Sequence, residues 1–119
     1  MTENEREFYG RLRSALPDLH ICPQVAMGAL LDAPTARGRN PFSQKIVDYV
    51  LYEPLSGRVV AIVELDDASH DGVRDALRDE MLIGAGYRVL RWDSTRKPLS
   101  SEIAAAVGRI RVETELNAF

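Results

Sequence analysis

Cysteine is nearly missing from this chain: its 119 residues include one, Cys22, and only two histidines. A lone cysteine forms no internal disulfide, and so few sulfur and imidazole ligands exclude a structural zinc cluster. No apolar run approaches the length that spans a bilayer, so no membrane partner is expected. The opening residues MTENEREFYG are acidic and polar, do not read as a secretory signal, and leave a cytoplasmic protein as the expectation. A basic excess is lacking too. The net charge of −3 and a pI near 5.4 argue against strong non-specific affinity for nucleic acid, which goes with a basic surface. Internal repeats and low-complexity tracts are absent. What remains is an ordinary globular composition, long enough for one domain over residues 1–119 with a single core.

The negative charge is not spread evenly. Between positions 64 and 80 stand Glu64, Asp66, Asp67, Asp71, Asp75, Asp79 and Glu80 against only Arg74 and Arg78. The rest of the chain is slightly basic, with Arg37 and Arg39 in a loop, Arg88 and Arg91 on a strand, and Arg96 beside Lys97.

Periodicity sets the elements. Residues 3–15 read as an amphipathic helix with Phe8, Leu12 and Ala15 on one stripe and Pro17 closing it. Residues 20–27 read as a short strand, which Pro23 assigns to an edge or a bulge. A helical turn over 28–32 and a breaker-rich loop over 33–43 follow. Residues 44–53 and 58–66 are apolar on both faces, as central strands covered by helices are. A helix over 72–84 carries Val73, Leu77 and Met81 at intervals of four, with Gly84 and Gly86 near its end. A strand over 87–92 and a helix over about 99–111, capped by Ser100 or Ser101, complete the chain. Helix, three-strand meander, helix, strand, helix is an α/β order. It implies a mixed four-stranded sheet flanked by helices, with a right-handed crossover from the third strand to the fourth.

The turn between the central strands decides which side chains meet. Leu55-Ser56-Gly57 fits a three-residue hairpin loop ending in a left-handed glycine. Residue 54 then pairs with 58, Asp48 stands across from Glu64, and Ile46 across from Asp66. Opposed residues share a face with Cβ atoms about 4.5–5.5 Å apart, and two like charges at that range call for a proton or a cation between them. A four-residue loop over 54–57 would instead pair Asp48 with Val63 and turn Glu64 to the other face.

Asp48, a turn, then Glu64-Leu65-Asp66 resembles the PD-(D/E)XK nuclease superfamily. More closely, VDYVLYEPLSGRVVAIVELDDASHD followed by RDALRDEMLIGAGYRVLRW resembles an uncharacterised bacterial domain family related to the very-short-patch-repair endonucleases. The opening ENEREFYGRL is similar to the first helix of that family, so the resemblance covers roughly residues 4–93. It implies a restriction-endonuclease-like αβββαβ core with an extra C-terminal helix. It also implies a magnesium- or manganese-dependent nuclease hydrolysing DNA phosphodiester bonds. Asp48 and Glu64 would hold the ion, with the backbone carbonyl of Leu65 as a further ligand. Asp66 stands where such nucleases carry a lysine; here it would bind a second ion or orient water. His70 is assigned as a water-positioning base or additional ligand, and Glu5 matches a third acid found in some relatives. Arg37, Arg39 and Arg74 (or Arg78) would contact phosphates.

Blander readings stand beside these. Asp48 and Glu64 can be buried acids paired with Arg74 or Arg91. Asp67 reads better as a helix cap than as a ligand, and Glu5 as an acid favouring a helix N-terminus. Asp71, Asp75 and Asp79 with Arg74 and Arg78 read as a solvated, ion-paired helix face. Tyr87 and Trp92 read as core. A catalytically silent domain of the same fold that binds nucleic acid or protein is the alternative function, and a homodimerising accessory module is a third. With so little positive charge, a second copy or another module would have to supply DNA affinity.

Overall fold

The structure, a computed structural model, describes residues 1–31, 45–67 and 72–117, apart from the side chains of 73–75. Helix α1 (Glu3–Ala15) opens on a capping box. Thr2 accepts from the Glu5 N–H at 3.2 Å, and the Glu5 carboxylate accepts back from the Thr2 N–H at 3.3 Å. Phe8 and Leu12, four apart on one face, are fully buried, and the helix stops at Leu16 just before Pro17. Strand β1 (His20–Ala26) leads into the single helical turn α2 (Met27–Leu30).

Strands β2 (Ile46–Tyr52) and β3 (Val59–Asp66) form the middle of the sheet, helix α3 (Gly72–Gly84) follows, and strand β4 (Val89–Asp93) completes it. Helix α4 (Ser100–Asn117) runs six residues beyond the expected end. Ser100 is its first residue rather than its cap: the Leu99 carbonyl accepts the first helical bond, from Ile103 at 3.0 Å. The sheet order is β1-β2-β3-β4, antiparallel except for the parallel β3–β4 pair. This is the mixed α/β sandwich the periodicity implied, and Pro23 does sit on an edge strand. Among the described residues no helix is long and apolar enough to cross a membrane.

Each face of the sheet has its own apolar layer. Tyr49, Leu51, Ala61 and Val63 pack under Phe8 and Leu12 of α1 and under Ile103 and Val107 of α4, with Trp92 against the same layer. Val50 and Ile62 face the other way, under Met27, Leu31 and Leu82, with Tyr87 and Val89 alongside. Burying both faces of β2 and β3 is what their unbroken apolar sequence requires.

The hairpin corrects the expected turn. Glu53 N–H donates to the Arg58 carbonyl at 2.9 Å and Gly57 N–H to the Glu53 carbonyl at 2.8 Å, so the loop has four residues, 54–57. Taken alone, that length would put Glu64 on the wrong face. A β-bulge restores it. Tyr52 pairs with Val59 but Leu51 pairs with Ala61, leaving Val60 as an extra residue on β3. Beyond the bulge Val50 faces Ile62 and Tyr49 faces Val63, the register that sets Asp48 opposite Glu64. The left-handed glycine of the turn is Gly57, at φ +71°, as expected.

Helix α3 also differs. Leu77, expected on the buried stripe, is 48% exposed, whereas Leu82 is fully buried. The inward face therefore runs through Arg78 and Leu82, four residues apart. A rotation that sends Leu77 outward brings Arg78 and Asp79 against the acids of the sheet.

Candidate active site

The acids gather where β3 and β4 end and β2 begins. Glu64 is 3% exposed, which for a carboxyl demands a partner. Its partners are Asp48, to which it is hydrogen-bonded, and Arg78, whose Nη2 lies 3.6 Å from Oε1. Burial, the Asp48 charge and the hydrogen bond to Asp48 push the Glu64 carboxyl up to about 8, against the pull of Arg78 and Arg91. Asp48 is raised as well, mainly by burial, while the Leu65 N–H and the Glu64 side chain work to lower it. Leu65 N–H donates to Asp48 Oδ2 at 2.7 Å. Both shifts favour a shared proton, which the hydrogen bond between the two carboxyls requires.

Two residues further along β3 the balance is reversed. Asp66 accepts from Arg91 Nη1 at 2.5 Å, and the other edge of the same guanidinium reaches Asp79 of α3, at 2.6 Å from Nη2 and 3.3 Å from Nε. Burial works against the Arg91 charge, but the hydrogen bond and charge of Asp79, then Asp66, hold its pKa above the ordinary arginine value. Ser94 N–H donates to the Asp66 carbonyl at 2.7 Å, fixing the end of β3 against the exit of β4. Arg78 Nη2 also donates to the Ile46 carbonyl at 2.7 Å, so α3 is tied to the first residue of β2.

The arginine reading of Asp48 and Glu64 therefore holds in kind, with Arg78 as the arginine that approaches Glu64. Arg91 is committed to Asp66 and Asp79. Asp79, expected on a solvated face, has a side chain only 26% exposed and belongs to that clamp. Asp79 is the site residue the sequence reading missed; Arg78, expected to contact phosphate, approaches Glu64. The signal for this face was the spacing of four between Arg78 and Leu82, masked by the more apolar Leu77–Met81 stripe.

Glu5 has two structural roles. It closes the capping box of α1, and it also comes near Asp48, whose carboxyl its charge helps to raise. Tyr49 hydroxyl donates to the Glu5 carbonyl at 2.6 Å, fixing the start of α1 over β2. Glu5, Asp48, Leu65 and Asp67 line a cavity of about 200 Å³ together with Thr2 and Ser94. A second cavity, of about 450 Å³, opens on the other side of Asp67 between Asp66, Arg91, Trp92 and Thr95. His70, Arg37 and Arg39 lie outside the described residues, as does the side chain of Arg74.

Among the described residues, no group of three or more His, Cys, Asp or Glu side chains is arranged to hold a metal ion. The donor set is nonetheless of the right chemistry for a hard cation held by two carboxylates, its other positions filled by water or phosphate oxygen.

A protein-family profile matches residues 1–110. The chain belongs to DUF2726, a family of proteins of unknown function. The match takes in every strand of the sheet and most of α4, so Asp48, Glu64, Asp66 and the α3 residues all lie inside the DUF2726 region. No curated protein and no solved structure matches the chain.

Proposed function

We propose that this chain is a metal-dependent nuclease-type domain that hydrolyses DNA phosphodiester bonds, with its ion, magnesium or manganese, between Asp48 and Glu64. The observation that carries the reading is the buried Asp48–Glu64 pair at the strand ends. Such a pair is expensive unless positive charge offsets it; here the two acids are hydrogen-bonded to each other and Arg78 stands 3.6 Å from Glu64. The chain order α1-β1-β2-β3-α3-β4 supports a restriction-endonuclease-like core, the one the resemblance to PD-(D/E)XK nucleases implies.

In this reading Asp48 and Glu64 would hold the ion once deprotonated. The chemistry it would supply there is a water of lowered pKa and charge to offset that on the phosphoryl oxygens. The water adds to phosphorus, and the ester oxygen on the opposite side leaves. Asp66, paired with Arg91, orients the water, and His70 takes its proton. Arg78 is the nearest donor for a phosphate oxygen and simultaneously keeps Glu64 in position. Leu65 contributes its N–H, which fixes the Asp48 carboxylate. The net charge of −3 makes a second copy or a fused module the source of DNA affinity.

One observation favours the silent-fold reading. Asp66, at the position of the usual lysine, is committed to Arg91, and Arg91 to Asp79. A cleavage assay on duplex and single-stranded DNA, with magnesium or manganese, separates the two. Metal-dependent products from the wild type and none from Asp48→Asn support the enzyme. Retained DNA binding without products from either supports the silent binder.

A further inference from the structure

Gln24 is the one non-glycine residue with a left-handed backbone among the described residues, at φ +55°. L side chains adopt that conformation reluctantly, and glycine or asparagine is the usual occupant. It does not lie in a turn. It is the fifth residue of β1, and the pairs Pro23↔Tyr49 and Val25↔Val47 bracket it on the position opposite Asp48. Its side chain is exposed and makes no hydrogen bond within the described residues. A strained residue next to a reacting carboxylate, with an unused amide, points to function rather than to packing.

We infer that Gln24 is a substrate-contacting residue, its side-chain amide donating to a phosphate oxygen of a nucleic-acid strand held at Asp48. The inference rests on the hydrolase reading of the Asp48–Glu64 pair and adds a residue to it. Its chemistry suits the place. A phosphate brought among these acids needs more donors than Arg78 alone offers, and the Arg91 guanidinium already serves two carboxylates. A lysine or arginine at position 24 would pair with Asp48 and compete with the ion. A neutral amide donates to phosphate without forming that ion pair. The left-handed backbone falls at the β1 position that the register places opposite Asp48.

The test uses a phosphorothioate oligonucleotide in calcium, which allows binding without turnover, on the wild type, Gln24→Gly, Gln24→Asn and Asp48→Asn. Gln24→Gly keeps the backbone conformation and removes the amide. It should bind roughly tenfold more weakly, with a melting temperature equal to or above wild type. Gln24→Asn, which tolerates the same backbone, should recover part of the affinity. The Gln24 side-chain amide resonance should shift when the oligonucleotide binds the wild type. Wild-type affinity in Gln24→Gly, with binding lost in Asp48→Asn, overturns the assignment of Gln24 and leaves the acid site standing. A lowered melting temperature in Gln24→Gly that accounts for its weaker binding also overturns it. Oligonucleotide that binds no variant, wild type included, overturns this inference, and the acid site is then judged by the cleavage assay.

Discussion

Glu64 and Asp66 are two residues apart on one strand, on the same face, and meet opposite electrostatic treatment. Asp66 sits in a closed balance in which Arg91 bridges it to Asp79 across the sheet and α3. Glu64 sits beside another acid and keeps its proton instead. Asp66 has a guanidinium at contact distance; Glu64 has its guanidinium, Arg78, 3.6 Å away and is hydrogen-bonded to another acid. That contrast separates a clamp that positions α3 from a pair left ready to exchange its proton.

The largest effect expected is on chemistry. Asp48→Asn or Glu64→Gln should reduce metal-dependent DNA cleavage by on the order of a thousandfold, as loss of a principal charge-stabilising group does. The fold should remain, checked by far-UV circular dichroism, and unchanged cleavage by both variants would remove the assignment. Arg91→Met attacks the clamp instead. It strands Asp66 and Asp79 together, and urea unfolding should show a loss of about 2–4 kcal/mol, scaled for their quarter exposure. A loss below 0.5 kcal/mol, within the usual range of surface substitutions, would mean the clamp is ornamental.

The pH dependence of the metal-free protein has a definite sign. Above its ordinary value of 4.5 the unfolded chain releases the Glu64 proton, whereas the folded chain retains it to about 8. The folded state then binds more protons, so stability falls across that window, by at most about 1.4 kcal/mol per pH unit from this group. Glu64→Gln should flatten the decline. A flat wild-type profile between pH 5 and pH 8 would contradict the shared proton. The smallest effect is at the turn: Gly57→Ala, at a positive φ with open space around it, should cost about 1 kcal/mol and leave the Glu64 titration unchanged.

The sequence made the sheet legible because β2 and β3 are apolar throughout and glycine and proline mark their ends. It made the Asp48–Glu64 pairing legible for a reason that was half wrong. The turn is one residue longer than its glycine suggested, and the bulge at Val60 compensates. Turn length and bulge are coupled through the buried face: once Glu64 must meet Asp48, an extra loop residue has to be absorbed in the strand. Helix α3 was misread because apolar periodicity weighs Leu77 above Arg78. An arginine turns inward when a buried carboxylate awaits it, and no pattern of hydrophobicity records that. Gln24 gave no sign in sequence, because a left-handed backbone is invisible unless a glycine or asparagine announces it.

The most direct test of the account is the titration of the Glu64 side-chain carboxyl by carbon NMR, with and without magnesium. The carboxyl should titrate near 8 in metal-free protein, and saturating magnesium should bring it back into the ordinary carboxylate range while amide signals at Asp48, Glu64 and Leu65 shift. A titration that stays near 8 in saturating magnesium and manganese would show that the pair holds its proton for structural reasons and binds no ion.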